Sequence, residues 1–563
     1  MRVLRAVARG ITMKQKWLAI LLTAIMIMSA SVAFISCAPS GGDDVEPDSS
    51  GQEDSGAKDK EDGMFDMSAW QYNSKDDVFY QIGLPYCTKP ADAGIETLAV
   101  FVPGPYMAGT KNEDGTYTCE IRETVKIKGY TPLTAPIVMP VDTPEYKQQD
   151  ALTEYIKVTR FTKKGFIYVH AGMRGRDAGA PAGVTDLKAA VRYLRYNGEN
   201  IPGDEESIFT FGMGGGGAQS AIMGASGDSI LYDPYLTEIG AISGVSDAVL
   251  GSASWCPVTN LETANEAYEW MMGSTRTELS EEEKNLSDML AAEFAVCLDE
   301  AQLRDPDGEL LSLDESEEGI FQAGSYYDYM KSVVQKSLNR FLKDTQFPYK
   351  VKETTAGGLK LTGTYKTPAD YIDKLNSDGK WIKYNAKKNT AKILDLAGFV
   401  KVFKPATKGI GAIDQLDCTQ TENLLFGYGD GKGSHFDPYL TEMLNQLNSR
   451  YAGDYVADFS KTDKFGNSID VRVDMYTPLY YLLKSKGGYG SSKVARFWRI
   501  RSGIEQTDCA LSSEVDLALA LKNNENAEIV DFATVWGQGH VEAERTGDSI
   551  DNFIKWVNKC IKQ

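Results

Sequence analysis

Histidine is almost missing from this chain: 563 residues contain only His170, His435 and His540. A search for a general base is therefore short. Positive charge is also scarce, with 59 Lys and Arg against 79 Asp and Glu, a formal charge of -20 and a pI near 4.8. Nucleic acid is excluded as a partner on that ground, because phosphate binding needs concentrated Lys and Arg. No C-x-x-C spacing occurs. Cys87, Cys119, Cys256, Cys297, Cys418, Cys509 and Cys560 are widely scattered, so the spacing indicates neither a zinc site nor a dense disulfide scaffold, and no cofactor is called for. The most informative absence is a single serine. Ile208 to Gly217 reads as a buried strand turning sharply into a small-residue helix, the setting of a nucleophile elbow, yet Gly214 stands at the centre of the G-x-S-x-G frame formed by Gly212 and Gly216.

What is present is ample for an enzyme-sized globular protein, at 42% hydrophobic and 10% aromatic residues, and the length implies two structural units. Residues 1–36 have the layout of an export signal: Arg2, Arg5, Arg9, Lys14 and Lys16 precede the apolar run Trp17 to Ile35. The run ends in Ser36-Cys37, similar to a bacterial lipobox, so Cys37 is expected to carry lipid and hold the protein on the bacterial cell surface. An uncleaved membrane anchor is the alternative. Residues 37–75 read as a tether, since the stretch from Ala38 to about Asp62 has almost no apolar residue to offset the entropy of ordering.

Residues 76–257 alternate strand-like and helix-like segments. Thr97–Val102, Ala135–Pro140 and Gly165–His170 are short apolar runs bounded by Gly and Pro, and Asp186–Arg195 places Leu187, Val191 and Leu194 on one helical face. The pattern resumes over residues 490–563 with Phe497–Ile500 and Ile529–Ala533. Such alternation predicts an α/β fold, a mostly parallel sheet with helices on both faces. Between them, residues 258–489 change rhythm and read as a large, mainly helical, lid-like insertion over the carboxyl ends of the strands, where ligands bind. Within it Tyr268, Glu269 and Trp270 are candidates to line a substrate pocket, although aromatic and acidic residues there also suit the insertion's own core.

His540, in Trp536-Gly537-Gln538-Gly539-His540, follows a strand-like run and is the candidate base; Asp508 similarly follows the strand near Ile500 and is the candidate to fix its tautomer. An ordinary surface-loop histidine is the plain alternative for His540, and Glu505 or a simple turn-forming aspartate for Asp508. The order elbow, Asp, His is that of the α/β-hydrolases. The backbone N–H of Gly215, with a second donor near Asp142-Thr143 and assigned to Thr143, would form the oxyanion hole. The glycines also satisfy G-x-G-x-x-G, but the acidic residue a dinucleotide fold needs is offered only by Asp228 in a loop.

Together, Gly172–Arg176, Asp186–Arg195, Ile201–Asp204, the elbow, Trp255–Leu261, Ala267–Trp270 and the Asp508 and His540 segments resemble the bacterial tannase and feruloyl-esterase-like branch of the α/β-hydrolases. The resemblance covers the core well and the insertion poorly. It implies hydrolysis of esters of aromatic acids by a serine, an aspartate and a histidine, here Gly214 in place of the serine, Asp508 and His540. The chain is then expected to be impaired as an esterase. Two other readings stand beside it: a cell-surface binding protein for an ester or aromatic ligand, and an active esterase carrying a substituted nucleophile position.

Overall fold

The computed structural model describes residues 65–351 and 361–563. The export-signal stretch, Cys37 and most of the expected tether lie outside the described residues. The tether ends earlier than residue 75, because Phe65 and Trp70 are already buried in the main core with their rings 5.2 Å apart, and the first strand follows directly. Two aromatic side chains sufficed to begin the fold where charged neighbours had suggested a linker.

The central sheet has nine strands: β1 Gln71–Asn73, β2 Val78–Pro85, β3 Thr97–Pro103, β4 Pro136–Val141, β5 Ile167–Ala171, β6 Asp204–Met213, β7 Gly251–Trp255, β8 Phe497–Gly503 and β9 Ile529–Val535. Their spatial order is β1-β2-β3-β5-β4-β6-β7-β8-β9. The first three strands run antiparallel, and β3 meets β5 antiparallel as well. From β5 to β9 every pairing is parallel. The central parallel strands are covered on both faces, so β4 is a near-continuous apolar run and β7, although it is Gly-Ser-Ala-Ser-Trp, is buried along its whole length.

Helix α1, Ala182–Tyr196, and helix α2, Gly215–Ala225, follow β5 and β6. Inside α1, Asp186 is wholly buried and accepts from Arg174, from the backbone N at 2.8 Å and from Nη2 at 2.6 Å, which clamps the loop after β5 to the helix. Lys188 pairs with Asp247 at 2.8 Å, also buried, and donates to the Ser226 carbonyl at 2.6 Å. The charged positions of this amphipathic stretch therefore serve as internal ties.

Residues between β7 and β8 form the insertion. Its principal helices are α3 Ala264–Met272, α4 Glu281–Ala301 and α5 Ser325–Asp344, with two short hairpins and several shorter helices. Part of it shares the main core: Tyr326 Oη donates to Asp516 at 2.6 Å and Trp536 Nε1 donates to Tyr371 Oη at 2.9 Å. A separate apolar cluster, including Leu290, Leu440, Leu444 and Tyr455, holds the remainder together. After β8 and β9 come α6 Leu511–Asn523 and α7 Ser549–Ile561.

Candidate active site

β6 ends opposite β7 with Gly212 facing Ser254 and Met213 facing Trp255, and the chain then reverses into α2 through Gly214. Gly214 has φ 58° and ψ -120°, a conformation that side chains rarely adopt. Gly212 and Gly216 are glycine for a different reason. A Cβ on either would strike the Val141 carbonyl at the end of β4, so only bare backbone allows the strand end and the helix start to pack this closely.

The first helical residue, Gly215, has no intrahelical acceptor for its N–H. The Thr143 backbone N lies against the same helix start, 3.2 Å from where a Cβ on Gly216 would stand, and the Thr143 hydroxyl is tied to Gln219 Oε1 at 2.6 Å. The two expected oxyanion donors thus come from adjacent backbone segments.

His540 reaches the elbow from the loop after β9. A Cβ built on Gly214 would stand 2.8 Å from His540 Nε2, so the imidazole leans into the volume that a nucleophile's side chain would fill. The loop is held by several ties. Gly503 lets it cross the end of β8, where a Cβ would collide with the Gly539 carbonyl. Buried Cys256 donates its thiol to the Val541 carbonyl at 3.3 Å, and Glu544 receives Arg499 Nη2 at 2.6 Å and Trp255 Nε1 at 2.9 Å. Burial holds the His540 imidazole below its ordinary value; Asp508 pulls it up, and Lys408 and Lys404 push it further down.

Asp508 lies beside His540, with Oδ2 3.3 Å from Nδ1, but it is half exposed and does not hold the ring alone. The shorter contact is to Gln506, whose Oε1 is 3.0 Å from Nδ1. Sequence reasoning passed over Gln506 in favour of the carboxylate two residues on. The Gln506 amide is buried and oriented, because its Nε2 donates to Glu514 and to Cys509 Sγ, leaving the oxygen toward His540. An amide oxygen only accepts, so Nδ1 carries the proton and Nε2 turns its lone pair to Gly214. Behind this contact, fully buried Lys404 donates to the carbonyls of Gln506 and Cys509, fixing the loop, and burial pushes the Glu514 carboxyl up to about 8.

The site as built holds an imidazole against a position with no nucleophilic side chain. Ser220 does not supply one: its hydroxyl is buried against Thr210 Oγ1 at 2.9 Å and Ser252 Oγ at 3.0 Å. Cys256 does not either, since burial raises its thiol to about 12.

Tyr268, Glu269 and Trp270, the expected pocket residues, lie away from open surface. All three are buried in the insertion's interior on α3. Glu269 is neutralised by Arg276, with a 2.8 Å contact to Nη2, and accepts from Ser287 Oγ at 2.7 Å; Trp270 Nε1 donates to the Phe321 carbonyl at 2.8 Å. Their service to the site is indirect. The Tyr268 hydroxyl receives the N–H groups of Thr407 and Lys408 at 3.0 and 3.2 Å, and Arg276 Nε donates to the Lys408 carbonyl at 3.0 Å. These bonds fix the backbone of Lys408, whose charge acts on His540. Glu422 is the other charged group that sequence reasoning missed. Burial raises its carboxyl while Lys408 lowers it and Asp508 opposes Lys408, so the three sense one another, and Glu422 Oε2 has no hydrogen-bond partner among the described residues.

The BD-FAE family model matches residues 141–298. Among solved structures, a tannase from Fusobacterium nucleatum aligns with a TM-score of 0.67 at 27% identity, covering 86% of this chain and 95% of that one. A tannin acyl hydrolase from Lactobacillus plantarum in complex with ethyl gallate aligns with a TM-score of 0.64 at 28% identity, covering 86% and 94%. The same hydrolase in complex with 3,4-dihydroxybenzoate gives 0.65 at 28% identity, again covering 86% and 94%. No curated protein sequence matches. The nine-stranded sheet, the elbow ending β6, the histidine loop after β9 and these likenesses agree: the chain has the α/β-hydrolase fold and is similar to bacterial tannases and to the feruloyl-esterase-like BD-FAE family.

Proposed function

We propose that this protein captures an aromatic carboxylic ester, or the acid derived from it, without efficiently hydrolysing it. The observation that carries this reading is the pairing of two differences at one site. Gly214 supplies no attacking oxygen and His540 Nε2 occupies its place, while the neutral amide of Gln506 makes the shortest contact to Nδ1. Loss of either function alone costs a serine esterase orders of magnitude in rate. The ligand class comes from the structural neighbours, which were solved with ethyl gallate and 3,4-dihydroxybenzoate. Chemistry at the site supports it. Phenolic hydroxyls would donate to Glu422 and Asp508 and accept from Lys408, giving the buried Glu422 oxygen the partner it lacks.

Calorimetric titration with methyl gallate should show saturable binding by the unmodified chain, with the ester recovered intact. Lys408→Ala and Glu422→Gln should each weaken it about tenfold or more, the equivalent of one lost charge-assisted hydrogen bond. Equal affinity in both variants, or no binding by the parent, would remove the basis for this ligand class. Rapid hydrolysis by the parent would instead favour an active esterase with a different nucleophile.

The same proposal places the protein outside the membrane, tethered through lipid on Cys37. Mass spectrometry of the exported protein should find a diacylated N-terminal Cys37, and an intact Met1 or Met13 terminus in the membrane fraction would exclude that cleavage.

A further inference from the structure

The insertion contains the third histidine, His435, which has no part in the site at the elbow. Its ring is buried and stacks on Tyr455 with centroids 3.6 Å apart, and its Nδ1 is taken by Asp414 Oδ1 at 2.7 Å. Asp414 is itself wholly buried and receives the backbone N–H groups of Phe436 and Asp437 at 2.7 and 2.8 Å. With Nδ1 engaged, Nε2 is the nitrogen left for another partner. Cys418 and Asp458 stand beside the ring, and one ligand atom from each of the three residues lies within 4.8 Å of the other two. This spacing suits one shared ion, because ligands about 2.0 to 2.3 Å from a common centre are roughly 3.3 to 3.8 Å apart and the remainder is small side-chain adjustment.

The thiol is placed by design of the backbone around it. Cys418 itself has φ 59°, and Gly433 is bare where a Cβ would stand 2.9 Å from the Cys418 sulfur. Asp458 receives the His435 N–H at 2.9 Å through Oδ2 and holds Lys461 Nζ at 2.7 Å through Oδ1. That ammonium is half exposed on a flexible stem and can release the oxygen to a cation. The three residues line one open depression, with Asp417, Asp454 and Lys432 also on its wall, so an ion has a route in and a solvent molecule has room as a fourth ligand.

We propose that Cys418, His435 and Asp458 form a binding site for a thiophilic divalent metal ion of the zinc class, with Asp414 orienting the histidine from behind. A carboxylate on the far nitrogen of a histidine ligand is the usual way such a ring is fixed and its basicity raised. One sulfur, one nitrogen and one oxygen donor favour zinc over magnesium or calcium, which take oxygen ligands. The thiol proton leaves to solvent on binding. The site ties the segment carrying Cys418 to the helix carrying Asp458, so its role is to brace the insertion rather than to act at the elbow.

The test uses the full chain, purified, stripped with chelator and dialysed against zinc alone. Elemental analysis should find about one zinc per chain, and cobalt in its place should give a thiolate-to-metal charge-transfer band. Cys418→Ser should abolish that band and weaken zinc binding at least about tenfold. Zinc should also protect Cys418 from alkylation in the unmodified chain, read by peptide mass spectrometry, a measurement that does not depend on any variant folding. Absence of stoichiometric zinc, a cobalt spectrum without a sulfur band, or undiminished binding by folded Cys418→Ser would each overturn the site.

Discussion

Restoring both missing functions together should raise ester hydrolysis by about three orders of magnitude or more over restoring the serine alone. Gly214→Ser brings an attacking oxygen beside His540 Nε2, once the ring retreats from the 2.8 Å approach to the new Cβ. The imidazolium that forms during attack then needs a negative partner at Nδ1, and the nearest group there is the Gln506 amide at 3.0 Å. In serine hydrolases an amide in that place costs about 10⁴ in turnover. Gly214→Ser should therefore hydrolyse nitrophenyl esters and methyl gallate weakly. Combined with Gln506→Asp or with Gln506→Glu, which keeps the reach of the side chain, it should become fast and sensitive to phenylmethylsulfonyl fluoride. Circular dichroism and thermal unfolding must first match the parent. If Gly214→Ser alone reaches the full rate, the orienting charge comes from Asp508, 3.3 Å from the ring, and the part given to Gln506 is wrong.

The second large effect is on stability. Arg174→Met should cost roughly 3 to 5 kcal/mol, because it strands two buried carboxylates, Asp186 and Glu96, that the guanidinium now faces at 2.6 and 3.7 Å. Burial, reinforced by Asp186, already raises the Glu96 carboxyl to about 7. The folded state thus holds a proton there that the unfolded chain has released above about 4.5. The resulting stabilisation is complete below about 4.5 and is lost as pH rises through about 7. Without Arg174 the carboxyl moves higher still, so the loss of stability with rising pH should extend to higher pH. Urea denaturation of parent and variant at mildly acidic and mildly alkaline pH measures it; a pH-independent difference between the two would show that the carboxylates are compensated elsewhere.

The parts of this molecule that sequence made legible are those with a local signature. Strand and helix alternate visibly, and the elbow carries its glycines because backbone must pass backbone at Gly212 and Gly216. His540 was found since almost no other histidine competes with it. Gln506 was not, because a carboxylate two residues later draws attention and only the turn, pinned by Lys404, decides which side chain reaches the ring. Tyr268, Glu269 and Trp270 have the composition of a binding surface, but α3 turns them inward, where Arg276 cancels the charge. Lys408 and Glu422, like Cys418, His435 and Asp458, are brought near one another by the packing of the insertion, and no motif records that.

The leaning imidazole couples position 214 to position 506. Glycine at 214 relaxes a backbone that costs on the order of 1 to 3 kcal/mol to impose on any other residue, and His540 then settles into the opening. A serine placed at 214 has to take up that strained backbone and displace the ring while Gln506 offers Nδ1 no negative charge. A serine at 214 and a carboxylate at 506 therefore depend on one another, and their effects are expected to be strongly non-additive.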